Sequence, residues 1–427
     1  MQFLIKNATI LHPNSEFHRD QLDIFIKNGI IESIEKEFSK YDTFDVEVLD
    51  AKGAFVSPGW LDVGVQVGDP GFEHREDLQS AAAAASAGGF TAIACFPNTY
   101  PAIHSKSEAL YLKNNTKHGL VDFFPIGAVS MDCEGKDITE MYDMHAAGAV
   151  AFSDGKNALL DGGLMMRALQ YVKPFDGVII NQPYEHSISP AGQIHEGKTS
   201  ISLGLAGIPN LAEELMVQRD IYLAEYADSR VHIANISSAG SVELIRKAKA
   251  QGLKVTASVA AVNLAFDDAA SMEFDSNFKM LPPLREAEDI EALKNGLKDG
   301  TIDLISSNHV PLEKELKNLE FLNAAFGVIG LETAFAAANT HLQNLLDPSE
   351  LLEKFALNPR KILHLPIPEI KLGAKANLTI FDTDSEWTFS EKDIFSKSKN
   401  TPFLGANFKG RALAVVNNNR YSIENQR

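Results

Sequence analysis

The chain has 427 residues, 45% hydrophobic and 22% charged, the balance of a soluble globular protein with room for one large domain and a smaller one. Its 57 acidic residues outweigh 39 basic ones for a formal charge of −18, and no basic stripe offsets that field, which argues against nucleic acid or an anionic membrane as a partner. Cys95 and Cys133 make no disulfide framework, the opening MQFLIKNATILHPN lacks the apolar core of a signal peptide, and no apolar run reaches the roughly 18 residues of a membrane span, so a cytoplasmic protein is expected.

Residues 1–53 carry short β-type runs (QFLIKNATIL, DIFIKNGIIESIEKE) separated by Asn, Gly and Asp turns. Residues 54–367 then alternate strand-like and helix-like segments. GAFVSPGWLDVGV precedes EDLQSAAAAASAGG, TAIACFPN precedes SKSEALYLKNN, VDFFPIGAVS precedes DITEMYDMHAAG, and AVAFSDG precedes LMMRALQYVKPF. GVIINQP leads, after an insertion, to LAEELMVQRDIYLAEYA; RVHIANIS leads to SVELIRKAKAQG; LKVTASVAAVNL leads, after another insertion, to EDIEALKNGLKDG. TIDLISSNHVP closes the series, followed by a helical stretch near Phe321 to Ala338. Gly88, Gly148, Gly252 and Gly300 suit left-handed helix caps, and Ile290, Leu293 and Leu297 form one apolar helix face. Eight β-then-α units over about 310 residues predict an α/β fold, a (β/α)8 TIM barrel, with a doubly wound open sheet as the alternative. Residues 368–427 return to short β-type runs (ANLTIFDTDSEWTF, GRALAVVNNNRYSI), and both termini are expected to build one small, sandwich-like β-domain.

Chemistry in such a barrel sits at the carboxyl ends of the strands. Those ends read Asp62 to Gln66, Phe96-Pro97-Asn98-Thr99, Ser153-Asp154-Gly155, Asn181-Gln182-Pro183, Ala234 to Ser237, and Ser307-Asn308-His309. The set is rich in carboxamides, with Asp154 as a carboxylate near mid-barrel and His309 as an imidazole. Asp154 reads either as the cap of the following helix or as part of a relic site; His309 reads more readily as a hydrogen-bonded structural histidine than as a catalyst. No GxSxG elbow accompanies Ser306 and Ser307. GQIHEGKT, residues 192–199, matches the phosphate-loop pattern, but no strand precedes it and no helix is expected directly after it, so ATP binding is not expected.

The run PGWLDVGVQVGDPGFEHREDLQSAAAAASAGGFTAIACFPNTYPAI resembles the first third of a dihydroorotase of the cyclic amidohydrolase family. The likeness continues through HEGKTSISLGLAGIPNLAEE, LPPLREAEDIEALKNGL, AFGVIGLETA, NPRKILHLP and SKSKNTPFLG, nearly the whole chain. That resemblance implies a metal-bearing barrel that interconverts carbamoyl aspartate and dihydroorotate in pyrimidine biosynthesis. The DPGFEHRED loop and SKSKNTPF resemble dihydroorotases in particular.

Against that pattern the expected ligands are missing. Where the family's first strand ends in H-x-H followed by Leu-Arg, this chain has Gly64, Gln66 and Gly68. The histidines of the fifth and sixth strands fall at Gln182 and Asn235, and the terminal aspartate, ligand and base in the family, at Asn308. Asn98, similar to the family's substrate-carboxylate binder, and His309 are retained, and Asp154 matches the fourth-strand ligand best. Carboxamides are uncharged, weak zinc ligands, and Asn308 cannot accept a proton as a base. The reading is therefore a degenerate member lacking the metal ligands. No competent catalytic residue and no cofactor is expected, although zinc is the family norm; Asp154, Asn308 and His309 are relic candidates. Gln66, Gln182, Asn235 and Asn308 are expected to satisfy one another as a neutral plug. The retained fold is expected to act structurally or as a regulator, with aspartate transcarbamoylase as a candidate partner and a homo-oligomer as the expected state. The alternative is an active dihydroorotase or other cyclic amidohydrolase with an altered site.

Overall fold

The computed structural model describes residues 1–38 and 46–424. Eight short parallel strands form the barrel, in spatial order Trp60–Val65, Phe90–Cys95, Asp122–Gly127, Ala151–Phe152, Val178–Asn181, Arg230–Ile233, Val255–Ala260 and Leu304–Ser306. Sequence order and spatial order coincide, as the alternation of strand-like and helix-like runs predicts. Trp60–Val65 and Phe90–Cys95 are buried along their whole length, because a parallel strand sits between the barrel interior and an outer helix. The eighth strand returns to the first: Ser307 N and Oγ both donate to Asp62, and Gln66 N donates to His309 O at 3.0 Å.

The helices between the strands have local reasons to form. Asp77 caps Leu78–Ala87 by accepting from Ser80 N at 2.7 Å, and Asp161 and Ser238 cap Gly162–Val172 and Ala239–Ala250 in the same way. Helix Ala287–Lys298 buries Ile290, Leu293 and Leu297, each worth roughly 1.5–3 kcal/mol of apolar burial. Gly148 takes the left-handed cap conformation at φ 108°. Gly88 does not, at φ −77°; its neighbour Gly89 makes the turn instead, at φ 95°. The helical stretch expected near Phe321 to Ala338 begins only at Ala334 and runs to Leu342, with Phe321 in a turn before it, and short helices Pro348–Leu352 and Asn358–Ile362 follow.

Both termini meet in one eight-stranded sheet. Phe55–Pro58 joins the halves, running parallel to Gln2–Ile10 and antiparallel to Leu378–Thr388. The terminal sheet thus extends past the boundary expected at residue 54, since Phe55–Pro58 finds its hydrogen-bond partners there before the chain enters the barrel at Trp60. Trp60 packs against Phe90, Phe335, Phe355 and Phe381, a ring cluster that fixes the barrel's base onto this sheet. Among the described residues no helix is long and apolar enough to cross a membrane.

Candidate functional site

The carboxyl ends of the strands carry a run of carboxamides. Asn235 Nδ2 donates to Asn308 Oδ1 at 3.2 Å, and Ser306 Oγ donates to Asn235 Oδ1 at 2.6 Å. Asn308 Nδ2 in turn donates to Leu281 O at 3.1 Å, and Gln182 Nε2 reaches the same carbonyl at 3.3 Å. Asn235 and Asn308 both have left-handed backbones, φ 53° and 49°. Asparagine tolerates that region better than most residues, so the strand ends keep their turn geometry with a neutral side chain.

Gln66 does not join this run. Its backbone N–H donates to His309 O, and among the described residues no hydrogen bond engages its carboxamide, so the expected plug contains three of its four carboxamides. The neighbouring glycines show why the first strand's end differs. Gly64 has φ 89°, and a Cβ there would lie 2.8 Å from the ring of Phe96. A Cβ on Gly68 would lie 2.1 Å from Phe72 O. Backbone and ring occupy the space that side chains at these two positions would need.

Asp154 is buried and turned toward the third strand's exit: Oδ1 accepts from Val129 N at 3.0 Å and Ser130 N at 2.9 Å, and Oδ2 accepts from Ser130 Oγ. Burial pushes its carboxyl upward in pKa, opposed by the Ser130 hydrogen bonds. It does not cap the next helix, a task that falls to Asp161. Asn98 is committed to the loop after Asp154, donating to Asp154 O and accepting from Lys156 N, each at 3.0 Å. His309 is fully buried. Its Nδ1 accepts from Gly330 N at 3.2 Å, which places the ring proton on Nε2, 3.3 Å from Glu76 Oε2.

Glu76 opens onto a second buried network that sequence reasoning missed. Ser396 Oγ donates to Glu76 Oε2 and Lys397 N to Oε1, while Ser398 Oγ donates to Arg75 O at 2.9 Å. Lys397 Nζ pairs with Asp77 and donates to Glu73 O. Asn400 Nδ2 bonds Val310 O and Gly327 O, and Asn400 Oδ1 accepts from Leu312 N. Segment 396–400 therefore clasps the loop after the first strand and the loop after the eighth. The signal that points to it is the joint retention of DPGFEHRED and SKSKNTPF. Asp62, named above only for its position, also closes the barrel through Ser307, and burial raises its carboxyl to about 6.

His232 does not reach the strand end. Its Nδ1 and Nε2 meet Thr256 Oγ1 and Ser258 Oγ at 2.9 and 3.1 Å, and burial lowers its pKa to about 3, so it stays neutral inside the sheet. In the 192–199 stretch, Ile194–His195 pairs with Gly207–Ile208 and a six-residue helix, Lys198–Leu203, does follow directly, contrary to the sequence expectation. Arg285 Nη1 holds this loop from below, donating to Ile208 O at 2.7 Å and lying 3.1 Å from His195 Nδ1.

A hydrolytic zinc needs imidazole, thiolate or carboxylate donors, commonly three from the protein. At the corresponding places stand Gly64, Gln66, Gln182, Asn235 and Asn308, and Asp154 spends its oxygens on backbone amides and Ser130. Among the described residues no three His, Cys, Asp or Glu side chains are grouped to share an ion. The residues present do not fit the metal.

A family model described as dihydro-orotase-like matches residues 53–241. The chain is 41% identical to a dihydroorotase of Pelotomaculum thermopropionicum, across 100% of this chain and 99% of that one. It is likewise 41% identical to a dihydroorotase of Geotalea daltonii, across 97% and 98%. Among solved structures, L-hydantoinase (dihydropyrimidinase) from Arthrobacter aurescens superposes with a TM-score of 0.85 at 24% identity, covering 99% of this chain and 96% of that one. The latter likeness speaks to the barrel and its terminal β-domain alone.

Proposed function

The chain belongs to the dihydroorotase family, and we propose that it is a member without hydrolytic activity that serves pyrimidine biosynthesis by holding or regulating a protein partner, aspartate transcarbamoylase being the candidate. One observation carries the reading: five positions where the family places metal donors or space for them hold Gly64, Gln66, Gln182, Asn235 and Asn308, and three of those carboxamides are already bonded to one another or to Leu281 O. Without a charged donor set nothing lowers the pKa of an attacking water toward neutrality, and a carboxamide cannot serve as the general base.

The names borne by the full-length relatives favour the other reading, an active dihydroorotase, and on that comparison it stands ahead. Turnover separates the two. Purified full chain should convert carbamoyl aspartate to dihydroorotate, with or without added zinc, no faster than a mock preparation. A rate that falls when Asp154 or Asn308 is replaced by Ala would establish an active enzyme and overturn the proposal. A rate indifferent to both substitutions would mark a contaminant. For the association, aspartate transcarbamoylase mixed with the chain should co-elute from a sizing column; separate elution at micromolar concentrations would remove that partner.

A further inference from the structure

The amino ends of the barrel strands, opposite the carboxamides, border a cavity of about 660 Å³. Protein interiors pack with few voids wider than a water molecule, and the base of such a barrel ordinarily serves stability alone. A space within the roughly 300–1,000 Å³ of ligand pockets stands out there. Phe124 and Pro125 of the third strand, with Val150 and Phe152 at the start of the fourth, give it an apolar wall. Beside that wall His145, at the end of helix Met141–Ala147, stacks on Phe175 with ring centroids 4.7 Å apart.

Cations reach the same space from separate stretches of chain. Lys113 and Lys117 come from the end of helix Lys106–Asn115 and the turn after it, Arg230 from the first residue of the sixth strand, and His364 from the turn after helix Asn358–Ile362. Among the described residues neither lysine side chain pairs with a carboxylate, whereas Lys173 and Lys254, also at the barrel's base, share Asp228. Arg230 is held by carbonyls: Nη1 donates to Asp176 O at 3.2 Å and Nη2 to Ile362 O at 2.8 Å. His364 Nε2 lies between Arg230 Nη1 and Asp176 Oδ2, 3.4 Å from the latter. The cavity's other carboxylate, Asp122, is spent on Asn417 and Asn418, whose carboxamides donate to it at 3.0 and 2.8 Å.

A lysine in the last turn of a helix answers the helix dipole, which accounts for Lys113. It does not account for Lys117, beyond the helix end, or for Arg230, on a strand. In a chain of net charge −18 a local gathering of cations is what lets an anion approach. Arginine binds phosphate as a planar fork and lysine as a point charge. The apolar wall and the stacked pair next to them suit a planar ring.

We propose that the cavity at the barrel's base binds a nucleoside monophosphate, its phosphate held by Lys113, Lys117 and Arg230 and its base set against the apolar wall. The site lies at the far end of the barrel from the carboxamides, so the inference holds whether or not the barrel is catalytic. Isothermal titration of the full chain with uridine 5′-monophosphate and with adenosine 5′-monophosphate should show one saturable site per chain for at least one of them, tighter than about 1 mM. Inorganic phosphate and the matching nucleoside, uridine or adenosine, should each bind about tenfold more weakly or worse. Lys113→Glu and Lys117→Glu should each weaken the nucleotide by about tenfold or more. Both lysines are exposed, so melting temperatures should stay near that of the parent. Lys247→Glu, the same change of charge on an exposed lysine outside the cavity, should leave the affinity as it was. Saturation by neither nucleotide, or an affinity that survives Lys113→Glu or Lys117→Glu, would overturn the proposal. So would phosphate or nucleoside binding as tightly as the nucleotide, or Lys247→Glu weakening it as much as the other two.

Discussion

Two buried polar networks lie side by side at the carboxyl end of the barrel, and they have fared differently. The clasp of segment 396–400 keeps its charged residues: Glu76 and Asp77 hold Ser396 and Lys397, and His309 hands its Nε2 proton toward Glu76. The strand-end run made of Gln182, Asn235 and Asn308 is neutral throughout. The difference follows from what each network satisfies. Removing the Glu76 carboxylate from the clasp orphans three donors on two segments, whereas carboxylates and imidazoles gathered at strand ends need an ion to balance them and are costly without one. A barrel with no ion at its strand ends can keep such a clasp, and it is better off neutral at those ends.

That contrast is open to attack in order of expected effect. Glu76→Ala strips the acceptor from His309 Nε2, Ser396 Oγ and Lys397 N, and should lower unfolding free energy by about 3–5 kcal/mol in a denaturant titration; a loss under about 1 kcal/mol would mean that the clasp is not structural. Gly64→His should cost about 3 kcal/mol through the Phe96 ring and the φ of 89°, and should come with no gain in zinc affinity. Asp62 gives a signed pH effect. Burial raises its carboxyl from 3.8 to about 6, so between those values the folded chain holds a proton that the unfolded chain has released. Stability contributed by this group is therefore lost as pH rises from about 4 to 6, by up to about 3 kcal/mol, and Asp62→Asn should flatten that slope; an unchanged slope would assign it to other groups. Asn308→Ala leaves Asn235 Nδ2 without its acceptor and should cost about 1–2 kcal/mol, with a double-mutant cycle against Asn235→Ala showing coupling. Gln66→Ala should change stability by less than about 0.5 kcal/mol, since its carboxamide joins neither network; a larger loss would place it in the plug after all.

The barrel was legible because its strands are buried on both faces and read as continuous apolar runs, while helices such as Ala287–Lys298 show their inward stripe at Ile290, Leu293 and Leu297. The strand-end residues were legible by position, one after each apolar run. Their orientations were not. That Asp154 turns to Ser130, or that Gln66 stands aside, depends on neighbours brought in by tertiary packing. The clasp was hidden for a plainer reason: Glu76 and Ser396 lie 320 residues apart, and Asp62 and Ser307 lie 245 apart. Nothing local to either residue announces such a pair. The left-handed turn expected at Gly88 moved to Gly89 because both residues can make it, and only packing decides between them.

The central claim is that the strand ends cannot hold a catalytic ion. Zinc bound per chain, measured by atomic emission after dialysis against micromolar zinc and removal of free metal, tests it most directly. A value far below one per chain is expected. One or two tightly held ions per chain would contradict it and return this barrel to the ranks of working hydrolases.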